Sequence, residues 1–218
     1  MKKLLLGLVF AGATFIVVPA HATVIATFAQ NASTNTVVAT DNSVTTNIVV
    51  DDAVTGINTF GGGGAVTAYY SMNATSNDAA VQVGGAVIQH YDGNFCFTSG
   101  INCTGTNYLS GVFSDAAFGA LGGPGLVVNV NNPPDQLSLT SDIIAPNDLL
   151  PPSSFSLAFT NLTPLLAIDG ATIDGFTAAF AGTVSATTTS VPVPEPMSLA
   201  MLGMGLLGLG TIRVVKRR

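Results

Sequence analysis

The sequence predicts an all-β body, an antiparallel β-sandwich with a jelly-roll-like arrangement as its nearest variant, enclosed between two apolar terminal segments. Three observations predict it. Apolar residues between positions 23 and 182 alternate with Thr, Ser and Asn at a period of two, and nowhere sustain a long helical period. Turn and breaker residues punctuate these runs at short intervals. Every Lys and Arg lies near one end of the chain, so the middle must cohere through burial and backbone pairing rather than ion pairs.

Taken in order, Thr23 to Ala29 places Val24, Ala26 and Phe28 on one side, and Ser43 to Val50 follows. Val66, Ala68, Tyr70 and Met72 align within Ala65 to Met72, and Ala80 to Gln89 is broken by Gly84-Gly85. Tyr108 to Phe113 is next; then Leu126, Val128 and Val130 alternate with Val127 and Asn129, and Leu137 and Leu139 with Ser and Thr. Phe155, Leu157 and Phe159 share a face, as do Phe176, Ala178, Phe180 and Val184. These make about nine or ten short strands. Asn131 to Asp135 and Pro151-Pro152 are the breakers, and Asp92-Gly93, Asp169-Gly170 and Asp174-Gly175 are turn dipeptides.

Charge is segregated. The six basic residues are Lys2, Lys3, Arg213, Lys216, Arg217 and Arg218, and of the twelve acids only Glu195 lies outside the body. Thr23 to Ser190 therefore carries eleven Asp and no Glu, Lys or Arg, a formal charge of −11 over 168 residues. Nucleic acid is excluded as a partner, because phosphate recognition needs Lys or Arg.

At the N-terminus, Met1-Lys2-Lys3 and the apolar run Leu4 to Val18 precede Ala20-His21-Ala22. A positive start, an apolar centre and small residues at Ala20 and Ala22 mark a secretory signal peptide, 1–22, cut after Ala22 by signal peptidase once the translocon has engaged it. The mature body, 23–182, is then extracytoplasmic, and a Thr/Ser/Pro linker, 183–193, follows it.

The C-terminal segment, 194–218, begins with Pro194-Glu195-Pro196, continues as the uncharged run Met197 to Ile212 and ends in Arg213, Lys216, Arg217 and Arg218. Its sixteen residues reach roughly 24 Å as a helix. Snorkelling of Arg213 along Val214 and Val215 extends this to about 28 Å, close to the roughly 30 Å of a bilayer core. One transmembrane helix is expected, its basic end held in the cytoplasm. Gly203-Met204-Gly205-Leu206-Leu207-Gly208 matches the dinucleotide-binding string, but no strand precedes it and no acid follows, so it reads as glycine tolerated in an apolar helix.

Triplet, apolar helix and basic end, in that order, resemble the PEP-CTERM sorting signal of Gram-negative bacteria. The resemblance covers the last 26 or so residues. It departs from the pattern where Val214 and Val215 split the basic cluster. It implies processing near Pro194-Glu195-Pro196 by the membrane protease exosortase, and a link to biofilm and exopolysaccharide production. Ser154 to Thr187 also resembles, more loosely, the end of the body in many such proteins.

Candidate chemistry in the body is sparse. Cys96 and Cys103 enclose six residues in an exported chain, which predicts a disulfide worth roughly 2 to 3 kcal/mol. His90 and Asp92 match no familiar zinc spacing. His90 is the sole histidine after leader removal, and no nucleophile-elbow pattern surrounds any serine. Without Glu, Arg, Lys or Trp, the body lacks most groups that tune a glycosidase acid or hold a sugar. Asp51, Asp52 and Asp92 are the calcium candidates, set against solvated turn aspartates. The resemblance implies a bacterial source, in which the sequons at Asn31, Asn73, Asn102 and Asn161 carry little weight.

These readings lead to an exported cell-envelope or matrix protein with a structural or adhesive role rather than an enzyme. It would be anchored in the inner membrane by its C-terminal helix and reach the cell surface after processing. A calcium- or carbohydrate-binding module on the same body is the alternative, and a glycan hydrolase comes third.

Overall fold

The structure, a computed structural model, describes residues 22–60, 65–84, 86–121, 126–130 and 136–187, without the side chains of 52, 58–60, 120, 121 and 126–130. Ala20 of the leader, the Pro194-Glu195-Pro196 motif, the apolar run 197–212 and Arg213, Lys216, Arg217 and Arg218 lie outside the described residues. No helix among the described residues is long and apolar enough to cross a membrane.

Thirteen strand segments follow one another: β1 (Ala22–Gln30), β2 (Val37–Asp41), β3 (Thr46–Phe60), β4 (Val66–Ser76), β5 (Val81–Val83), β6 (Ala86–Gly100) and β7 (Thr104–Leu121) come first. The rest are β8 (Leu126–Val130), β9 (Gln136–Thr140), β10 (Leu150–Thr163), β11 (Ile168–Asp169), β12 (Thr172–Ile173) and β13 (Phe176–Thr187). Apart from a single 3-10 turn at Pro146–Asp148, the described residues are strands and connections, and every pairing is antiparallel.

Three pairs of segments act as single interrupted staves. β1 and β2 both lie between β13 and β3, separated by residues 31–36. The Asn31 N–H bonds to the Val54 carbonyl (3.0 Å) and the Thr36 N–H to the Ala178 carbonyl (3.0 Å), so the interruption stays tied to both neighbours. β4 and β5 run along β6, and β8 and β9 along β7. The resulting eight staves pair in chain order, and the last, β13, pairs with the first, which closes the ring. The body is thus a closed up-and-down meander. A jelly roll needs Greek-key crossings between non-neighbours, and the main sheet has none; that variant is corrected, while the all-β antiparallel expectation holds.

The interior is filled rather than open. Phe28 of β1 lies 4.6 Å from Phe97 of β6, Tyr70 of β4 lies 4.9 Å from Phe180 of β13, and Phe95 of β6 stacks on Phe155 of β10 at 4.4 Å between ring centroids. Opposite staves therefore meet across one aromatic core, as the two layers of a sandwich would. Ala68, Tyr70, Met72 and Ala74 on β4, and Phe155, Leu157 and Phe159 on β10, point into it with the expected period of two. With no Lys or Arg in the body, burial of these rings, at about 1.5 to 3 kcal/mol for each large apolar side chain, is the dominant cohesive term.

Several expectations are corrected by bulges. Between Val24 and Ala26 the register of β1 shifts, so Val24 is exposed while Ile25 joins Ala26 and Phe28 inside. Asp92-Gly93 is no hairpin turn: it lies within β6, where the register against β7 slips between Tyr91 and Gly93. Pro151-Pro152 does not break β10 but sits at its start, beside a register shift between Leu150 and Ser154, where missing N–H groups are tolerated. The segment 183–187, assigned to the linker, is the paired end of β13, with Thr187 opposite Ala22.

Candidate functional site

Two polar clusters interrupt the otherwise apolar construction. The first closes the end of the ring where the turns 42–45, 77–80 and 163–175 gather. Gln89 has the inward parity of β6, two residues from Tyr91, and is fully buried. Its Nε2 donates to Ser76 Oγ (3.0 Å) and to the Asp78 carbonyl (2.8 Å). Its Oε1 accepts from the Tyr91 hydroxyl (3.1 Å) and the Ile173 N–H (2.9 Å). Two donors and two acceptor positions are all that an amide offers, so Gln89 is satisfied.

Ile173 belongs to the small β11–β12 hairpin, which this network ties to the ring. Thr46 Oγ donates to the Ile173 carbonyl (3.1 Å), Thr172 Oγ donates to Asp41 Oδ1, and Ser43 Oγ donates to Asp169 Oδ2 (3.0 Å). The Ala80 N–H reaches the Ala171 carbonyl at 2.6 Å. Burial pushes the Tyr91 phenol up from its ordinary value; a hydrogen bond with Thr46 opposes the shift, and the Asp41 charge, a smaller influence, reinforces it. The phenol stays a neutral donor to Gln89. Sequence reasoning missed this cluster, although a Gln at inward parity between Val87 and Tyr91 is the signal that would have found it.

The second cluster is the β6–β7 bulge. His90 Nδ1 lies 2.8 Å from Asp115 Oδ1 and 3.2 Å from the Asp115 carbonyl, while the Asp115 N–H donates to Asp92 Oδ1 (2.9 Å). Asp115 adopts φ 58°, the left-handed conformation that the extra bulge residue requires. The bulge thus brings together His90 and Asp92, which the sequence singles out, and Asp115, which it does not. Among the described residues the contacts of the His90 ring go to Asp115, and no serine hydroxyl joins them to make a nucleophile.

Of the calcium candidates, the Asp52 side chain lies outside the described residues, and Asp51 and Asp92 are not brought together. Asp51 is exposed on β3 beside the register shift between Val50 and Ala53. Asp92 is two strands away and pairs through Thr75 to the level of Asn47. Strand spacing and rise separate the two by roughly 17 Å. No group of three or more His, Cys, Asp or Glu is placed to hold a metal among the described residues.

Cys96 and Cys103 form the expected disulfide, with Cα atoms 5.9 Å apart. It crosses the β6–β7 hairpin at the end of the ring opposite Gln89, where Asn102 and Cys103 both take positive φ. Cys96 is buried and Cys103 exposed. No family model, curated protein or solved structure matches the chain.

Proposed function

We propose that this is an exported cell-envelope or matrix protein whose closed β-meander has a structural or adhesive role. The observation that carries the reading is the division of charge: cations only beside the two apolar terminal segments, and a body of charge −11 with none. Export with a membrane stop follows from that polarity. The disulfide between Cys96 and Cys103 suits an oxidising compartment. The pairing of Ala22 with Thr187 supports the same scheme, since it sets side by side the two residues at which the described body begins and ends.

The resemblance of Pro194-Glu195-Pro196 and its following residues to a PEP-CTERM signal names exosortase as the processing enzyme and exopolysaccharide as the matrix partner in this reading. Filled by aromatic side chains and lacking an assembled nucleophile or metal cluster among the described residues, the body offers bulk and surface more than a catalytic centre. Intact-mass measurement on protein from the native host tests the scheme. Loss of residues 1–22 with further loss near Glu195 is expected; a chain retaining its leader, or a reporter fused after Arg218 that is active outside the cell, would overturn it.

A further inference from the structure

β5 pairs with β6 through Val81–Ile88, Gln82–Val87 and Val83–Ala86, and among the described residues no strand pairs with its other side. The hairpin turns within two residues, beginning at Gly84 with φ 58°. In such a turn the flanking residues Val83 and Ala86 exchange the close pair of hydrogen bonds, and so do Val81 and Ile88. The N–H and C=O of Gln82 therefore face away from β6. Ala80, two residues earlier and of the same parity, directs its N–H the same way, to the Ala171 carbonyl.

Apart from its shortness, this edge has none of the usual guards: no Lys, no Pro and no charge. Val81 is 55% exposed and Val83 60%, and their partners Ile88 and Ala86, partly exposed, continue an apolar strip across β6. Residues 79–91 contain no acid, so self-repulsion between two anionic bodies is reduced along this strip. An antiparallel pairing of β5 with itself is also self-complementary. With Gln82 opposite its own copy, Val81 of each chain faces Val83 of the other, and one register satisfies both apolar pairs and both open backbone groups.

We propose that β5 is a self-association edge, through which a second copy of this chain pairs antiparallel about a two-fold axis at Gln82. The contact is short, so it acts where the local concentration of the chain is high. It stands apart from the export reading, since the edge is a property of the folded ring in any compartment.

Register-specific cross-linking tests it. Full-length Val81→Cys and Val83→Cys proteins, in mild detergent, are oxidised separately and as a mixture. Val81 and Val83 of opposing chains form a pair without hydrogen bonds, the spacing at which a disulfide closes. A covalent dimer in the mixture and its loss in either variant alone is the expected result. Adding Gln82→Pro to both chains removes the outward N–H and should abolish the dimer while the melting midpoint stays unchanged. No dimer in the mixture, equal dimer in the single variants, or a dimer that survives Gln82→Pro would each overturn the proposal.

Discussion

Gly182 of β13 lies directly beneath the ring of Phe28 on β1: a methyl group on Gly182 would sit 2.5 Å from Phe28 Cζ and 2.5 Å from the Ser156 carbonyl oxygen. Phe28 in turn contacts Tyr70, Phe97, Phe155 and Phe180. The missing side chain thus lets a first-stave ring reach the centre of the core across the seam that closes the meander. Gly111 stands in the same relation to Phe95.

Gly182→Ala should therefore destabilise the body by about 1 to 3 kcal/mol, because backbone on one side and a packed ring on the other leave the methyl nowhere to go. Thermal melting followed by near-ultraviolet circular dichroism checks this. An unchanged midpoint would mean that Phe28 can rotate away, contrary to its packing.

Gln89→Leu keeps the volume and removes four hydrogen bonds, leaving Ile173 N–H, Tyr91 OH, Ser76 Oγ and the Asp78 carbonyl short of a partner. A loss of roughly 3 kcal/mol is expected. Hydrogen exchange should rise first in residues 168–175, which the amide ties to the ring. Uniform loss of protection through the ring instead would count against a local role.

The Tyr70 hydroxyl is buried among rings and has no hydrogen-bond partner among the described residues. Tyr70→Phe removes that uncompensated group and should leave stability unchanged or raise it by up to about 1 kcal/mol. A clear loss in denaturant unfolding would show that the hydroxyl is satisfied in solution.

Burial raises the pKa of Tyr70 and of Tyr91. A folded value above the unfolded one means that the native state keeps protons which the unfolded chain releases. The associated stability is complete below about pH 10 and is lost as pH rises beyond it. Alkaline unfolding accompanied by the ultraviolet absorbance of newly formed tyrosinate is expected. In Tyr70→Phe/Tyr91→Phe the transition should move to higher pH; ionisation of both phenols without unfolding would contradict their burial.

Replacing Cys96 and Cys103 together by serine should cost roughly 2 to 3 kcal/mol, since a short loop is freed in the unfolded chain. The urea midpoint of the double variant reads this directly. The rest of the ring should keep its strand signal, because the crosslink spans a single hairpin.

Much of the strand content was legible because burial imposes a period of two wherever no bulge intervenes, as along Ala68, Tyr70 and Met72 or Phe155, Leu157 and Phe159. Bulges mark the limit. One extra residue at Ile25 inverts the sides of β1, and Asp92-Gly93 carries turn chemistry but is spent on a kink within β6. Closure of the ring was not legible, since it rests on Ala22 meeting Thr187, a pairing with no local signature. The meander was less hidden. Connections of only a few residues, such as 42–45 and 101–103, favour neighbour-to-neighbour pairing over the long crossings of a Greek key. At the polar clusters, Cys96 with Cys103 could be read from spacing and compartment. Asp115 reaches His90 only through bulge geometry, and no spacing rule anticipates that.

The juxtaposition of Ala22 and Thr187 also dictates timing. The first strand of the ring has its final companion in the last strand of the ring, so any nascent chain shorter than about Thr187 exposes two bare sheet margins at once, one on β1 and one on β10. Closure is thereby deferred until β13 has been made, and a truncation that removes β13 would leave an aggregation-prone, half-sealed cylinder in place of a slightly smaller domain.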